Sequence, residues 1–156
     1  MRRVMSVRQA EKNDLEQVLE IEKLTLSDPW GYYNFQAALK DIFLVFAEQD
    51  IFGFLVAVCC HRDVRGSIVK LAVHPEHRRQ GIATQLLETA LRILRDRGML
   101  EVCLIVEITR KPAIALYEKF GFEITKTLNM SYEDDMLDDS FYEMKLNLSP
   151  DWTGFP

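Results

Sequence analysis

An apolar run ends at Val73, and a polar loop then carries the adjacent Arg78 and Arg79 to Gly81. Beyond it, Ala83, Leu86, Leu87, Ala90, Leu91 and Leu94 recur at the i, i+3, i+4, i+7 spacing of one buried helix face. A basic, glycine-bearing turn between strand and helix is suited to holding a pyrophosphate. The first N–H groups of a helix have no intrahelical partner, and the macrodipole adds partial positive charge there. Gly81 lets the backbone approach an anion with no Cβ in the way. The spacing is neither the G-x-G-x-x-G of a dinucleotide fold nor the G-x-x-x-x-G-K-[ST] of a P-loop, and the chain contains neither.

The pattern R-x-x-G-x-A at Arg78, Gly81 and Ala83, after Ala72-Val73-x-Pro75, resembles the coenzyme A pyrophosphate loop of the GNAT acetyltransferase superfamily. A second stretch, Ala113-Ile114-Ala115-Leu116-Tyr117 running on to Gly121-Phe122, is similar to the second signature of that superfamily. Pro112 fits the first position of its helix and Gly121 the left-handed position after it. The segment Pro29-Trp30 with Phe35 matches the P-W-x-x-x-x-F loop of one branch, the ribosomal-protein and protein N-terminal amine acetyltransferases. Tyr132 lies where that branch places a tyrosine contacting the first residues of the substrate. The resemblance runs from about Val4 to Leu148.

The resemblance implies transfer of an acetyl group from acetyl-CoA directly to an amine, most naturally the N-terminal α-amine of a protein or peptide. It assigns the cofactor to the backbone of Leu71, Ala72 and Val73 and to Arg78, Arg79, Gln80, Gly81, Ile82, Ala83 and Thr84. In the superfamily two parallel strands splay and admit the pantetheine arm; by position these are residues 67–73 and 99–106. Arg110 stands where the branch has an asparagine bonding the arm, and with Lys111 it either meets the cofactor's phosphates or is exposed. Pro29, Trp30, Phe35 and Tyr132 are implied to bind the substrate. Tyr117 is implied to be the general acid that protonates the leaving thiolate, a task suited to a phenol of reference pKa about 10.

The general base departs from the family pattern, because Ile105 occupies its position. Glu107 lies two residues on, on the same strand face, and either serves through a water or is a solvated strand end. Glu22, Asp28, His74 and Glu133 are alternatives. An α-amine, with a reference pKa of roughly 7.7–8.0, is already partly neutral at pH 7, whereas a lysine amine near about 10.4 needs more help. Three alternatives therefore stand beside the N-terminal reading: a lysine acetyltransferase, a small-molecule amine acetyltransferase, and a non-catalytic acyl-CoA-binding regulatory module.

The elements that must position these residues follow from periodicity and turn chemistry. Strands are expected at 4–7, 43–48, 51–60, 67–73, 99–106, 122–130 and 141–148, with the one at 99–106 buried on both faces. Asp14 is expected to cap a first helix with Gln17 completing a capping box. A second short helix uses Phe35, Ala38 and Leu39. A long helix spans 84–97 and ends at Gly98, and another follows Pro112. The fold class is mixed α+β: a twisted, mostly antiparallel sheet of about seven strands with helices on both faces, the GNAT order. Residues 1–148 form one domain, and 149–156, with two prolines and a glycine, form a fraying tail.

A length of 156 residues with 48% hydrophobic content suits one core. Cys59, Cys60 and Cys103 lie in apolar runs and read as small buried hydrophobes in a reducing compartment. His61, His74 and His77 show no ligand spacing, so no metal is expected. Met1-Arg2-Arg3 is basic but no apolar stretch follows, which argues against a signal peptide. The longest apolar run, 51–60, is far short of the roughly 20 residues that span a bilayer. A cytoplasmic protein without membrane or nucleic-acid partners is expected, since a net charge of −5 and a pI near 5.2 give no basic face. The acidic run 133–139 is either a solvated loop or a rim attracting a cationic peptide N-terminus. Monomer and homodimer both remain open.

Overall fold

The computed structural model describes residues 6–25, 30–130 and 139–154. Pro29, Asp28, Tyr132 and the acidic segment 133–138 lie outside the described residues. The elements run β1 (Ser6–Gln9), α1 (Leu15–Thr25), α2 (Tyr32–Ala38), β2 (Ile42–Ala47), β3 (Ile51–Cys60) and β4 (Arg65–Val73). There follow α3 (Ile82–Asp96), β5 (Glu101–Glu107), α4 (Lys111–Lys119), β6 (Glu123–Met130) and β7 (Asp139–Asn147), the order expected from the sequence. Hydrogen bonding orders the strands β1-β2-β3-β4-β5-β7-β6 in a seven-stranded sheet. β1/β2, β2/β3, β5/β7 and β6/β7 pair antiparallel, and β4/β5 pair parallel from Arg65↔Glu101 to Ile68↔Leu104. Among the described residues no helix is long and apolar enough to cross a membrane.

The chain forms two compact units, Met1–Val58 with Val69–Ile93, and Cys59–Ile68 with Leu94–Pro156. In the first, every residue of β2 is buried, and Phe35, Phe43 and Phe54 pack their rings tilted or edge-on at 5.4–6.3 Å between centroids. Leu15, Val18 and Ile21 of α1 join this core. α3 reaches β3 at Gly53: a Cβ there would lie 3.0 Å from Ile82 Cγ2 and 3.1 Å from the Ala72 carbonyl oxygen. α3 starts at Ile82, two residues before the expected helix, and Ile82 is buried against that glycine while Ala83 is only half-buried.

The expected cap of α1 is also corrected. Asp14 is the last residue of a 3-10 turn, Lys12–Asp14, and its Oδ2 accepts the N–H of Glu11 at 2.8 Å. Gln17 does not reach back; its Oε1 accepts the N–H of Ile51 at 2.8 Å. The short carboxylate meets the donor beside it, and the longer amide reaches a donor in the distant hairpin.

In the second unit β5 is not buried on both faces. Val102, Leu104 and Val106 are buried, whereas Glu101, Cys103 and Glu107 are half-buried and Ile105 is 56% exposed. The period of two puts both glutamates on the face of Ile105, and charges at each end keep that face in water. The cysteines are not buried hydrophobes either. Cys59 and Cys103 are half-buried, and Cys60 is exposed with its Sγ donating to Asp63 Oδ2 at 3.5 Å. After β7, Trp152 N–H bonds the Ser149 carbonyl at 2.9 Å, and Arg95 Nη1 donates to the Trp152 carbonyl at 2.6 Å.

Candidate active site

The loop after β4 is shaped by its backbone. His74 N–H bonds the Phe52 carbonyl at 2.8 Å, and Pro75–His77 make a 3-10 turn. Arg79 and Gly81 both take left-handed conformations, with φ of 64° and 76°. Such a φ costs a non-glycine residue free energy, and backbone held this way clusters at functional sites. The Gly81 carbonyl accepts the N–H of Gln85 at 3.1 Å, so the N–H groups of Ile82, Ala83 and Thr84 have no intrahelical acceptor. Arg78, Arg79 and Gln80 are exposed beside them, and a Cβ on Gly81 would meet nothing within 4 Å. Open backbone donors, two guanidinium groups and a helix dipole fit a pyrophosphate. Upstream in β4, Leu71 and Val73 are half-buried and Ala72 is buried.

Trp30, in the same unit, is half-buried, and its ring lies 5.2 Å from that of Phe35 at an interplanar angle of 60°. Phe35 is completely buried, so it supports the indole from behind rather than facing solvent. Glu22 of α1 is completely buried as well. Its Oε1 accepts the backbone N–H of Trp30 at 3.3 Å and pairs with the ammonium of Lys70, which sits 4.9 Å from the centroid of the Trp30 ring. Sequence reasoning passed over Lys70 entirely, because a lone lysine in a strand carries no motif.

The second unit holds Tyr117, Arg110, Ile105 and Glu107. Arg110 caps α4, Pro112 sits in its first turn, and Gly121 has φ of 99° just past its end. Tyr117 is 7% exposed, with its ring edge-on to Phe122 at 5.8 Å. Burial pushes its phenol up to about 12, while the charge of Arg110 acts in the opposite direction. Glu107 is half-buried at the end of β5, on the face of Ile105. The histidines are a further correction to the sequence reading. His74, Glu76 and His77 bring one ligand atom each within 4.8 Å of one another, a spacing legible as H-x-E-H. His74 Nδ1 is already engaged there, accepting the Glu76 N–H at 3.1 Å, and His77 stacks on Phe52 at 3.9 Å. That bond occupies a lone pair His74 would need as a general base.

Sheet order, the loop after β4 and the α4 signature together define the class. The chain belongs to the acetyltransferase (GNAT) family, whose profile matches residues 7–122, and is an N-acetyltransferase. It is 32% identical over 147 residues to an N-alpha-acetyltransferase of Saccharolobus solfataricus, covering 85% of this chain and 88% of the relative. It is 32% identical over 127 residues to N-alpha-acetyltransferase 30 of Schizosaccharomyces pombe, covering 76% and 83%. The solved structure of Ard1 from Thermoplasma volcanium superposes with a TM-score of 0.82 at 27% identity, over 91% of this chain and 96% of that one.

Proposed function

We propose that the protein moves the acetyl group of acetyl-CoA directly to the N-terminal α-amine of a protein or peptide, with residues 1–148 as the catalytic domain and the cytoplasm as its location. The alignment with the Saccharolobus N-alpha-acetyltransferase over most of both chains carries this reading. The loop after β4 and the Trp30 wall support it.

Acetyl-CoA supplies an acetyl thioester and a thiol leaving group. Arg78, Arg79 and the N–H groups from Gln80 to Thr84 hold its pyrophosphate, and Arg110 adds charge at its phosphates. Backbone groups of Leu71 to Val73 bind its arm, and one N–H polarises the thioester oxygen. The amine nitrogen bonds to the carbonyl carbon as the C–S bond breaks. Tyr117 gives its hydroxyl proton to the departing sulfur. Burial holds the phenol up at about 12, so it is fully protonated at neutral pH and has a proton to give. The proton lost by the amine goes to water, directly or on to Glu107, and solvent returns a proton to Tyr117, which closes the cycle. An α-amine, partly neutral near pH 7, asks little more of a base. Trp30, backed by the buried Phe35, is the described wall of the peptide groove, to which Pro29 and Tyr132 are also assigned.

The test is mass spectrometry of peptides incubated with acetyl-CoA, each with a free and with a blocked N-terminus. Transfer to free N-termini and little to internal lysines of the blocked peptides is expected. Equal transfer to both overturns the N-terminal assignment in favour of a lysine acetyltransferase. Binding without transfer makes the chain a regulatory acyl-CoA module.

A further inference from the structure

We propose that Glu22 and Lys70 are a positioning pair that sets the Trp30 wall of the peptide groove, and through it the affinity for the peptide rather than the rate of transfer. This rests on the N-terminal reading above.

Trp30 precedes α2, so its N–H falls outside the helical hydrogen bonds and needs another acceptor. Glu22 Oε1 is that acceptor, and the same oxygen holds the Lys70 ammonium. Lys70 in turn lies over the indole, whose neighbouring ring is Phe35. One carboxylate oxygen therefore fixes the backbone of Trp30 directly and its ring through a cation–π contact.

Stability alone does not explain the arrangement. Glu22 is fully buried, Lys70 has a 9% exposed side chain, and Glu22 Oε2 has no hydrogen-bond partner among the described residues. A buried ion pair returns little net stability over a well-packed apolar pair, and an unpartnered buried oxygen adds cost. What the charged pair supplies, and an apolar pair lacks, is an acceptor for Trp30 N–H and a cation over its ring.

The experiment compares the parent with Glu22→Leu/Lys70→Met, Glu22→Gln/Lys70→Met and Lys70→Arg, all at a temperature where each is folded by circular dichroism. The apolar double variant removes both charges at once and leaves neither stranded, so it should fold. Its peptide KM should rise ~10-fold or more, the scale of one lost charge-assisted contact, with kcat and the acetyl-CoA KM within about 2-fold. Glu22→Gln/Lys70→Met keeps an acceptor for Trp30 N–H and should recover part of the peptide KM; Lys70→Arg keeps the cation and should stay near the parent. A folded apolar double variant with unchanged peptide KM, or one losing kcat alone, overturns the proposal. A second readout needs no substrate. In a Trp152→Phe background, Trp30 emission should be quenched by acrylamide more readily in the apolar double variant than in the parent. Equal quenching overturns the positioning role. Failure of the parent to acetylate free N-termini with this difference present instead refutes the N-terminal reading.

Discussion

Arg8 and Asp14 form a two-pronged ion pair, Nη1 to Oδ2 at 2.7 Å and Nη2 to Oδ1 at 2.9 Å, that ties β1 to the turn opening α1. Burial acts to raise the Asp14 pKa. The bond from Arg8, the N–H of Glu11 and the Arg8 charge outweigh it and hold the carboxyl below its ordinary 3.8. A lowered folded value means the pair stabilises the fold above that ordinary range and loses its effect as pH falls through the folded value. The melting temperature of Asp14→Asn should therefore lie below the parent's at pH 7, and the gap should close on acidification below about pH 4. A gap that stays constant down to pH 3 would show that the charge of Asp14 contributes nothing.

Gly81→Val places a β-branched residue at a φ of 76°, where the protein itself offers no obstacle within 4 Å. Strain should cost ~1–3 kcal/mol of stability and leave the protein folded. Acetyl-CoA binding, read by calorimetry, should be lost, since the space beside Gly81 is assigned to the pyrophosphate. Parent-like affinity in the folded variant would mean the pyrophosphate lies elsewhere.

Tyr117→Phe removes a hydroxyl and little else. Acetyl-CoA affinity should be unchanged, and kcat should fall by ~10²-fold or more if the phenol is the general acid. Because Tyr117 titrates at about 12, the parent's rate should show no alkaline fall attributable to this phenol up to pH 10. Unchanged kcat, with chemistry shown to limit the rate, would make Tyr117 a packing residue against Phe122.

Gly66 of β4 faces Leu94, and a Cβ there would stand 2.7 Å from Leu94 Cδ2 and 2.9 Å from Cδ1. Gly66→Ala should lose ~1–3 kcal/mol by overpacking, and Leu94→Ala alone ~2–5 kcal/mol by leaving a cavity. Combined, they should cost less than their sum by more than about 0.5 kcal/mol, because each relieves the other. Urea unfolding of the three variants measures this, and strict additivity would show the contact is not felt.

Repeating patterns in the chain carried a great deal. Period 3.6 marked α3, and apolar, β-branched runs between turn residues marked the strands. Arg78, Gly81 and Ala83 marked the loop, and the stretch ending in Tyr117 marked α4, because local periodicity and turn chemistry are written in neighbouring residues. Family membership was legible for the same reason, since its signatures are short and contiguous. The tertiary structure alone decided matters that join distant residues. Gln17 left its own helix for the N–H of Ile51, Gly53 set how near α3 comes, and Ile105 faced water between two glutamates. Phe35 became a support behind Trp30, and Glu22 met Lys70 across forty-eight positions of chain. Which donor finds which acceptor, and which face is covered, depends on packing between segments far apart in sequence, and no local pattern encodes it.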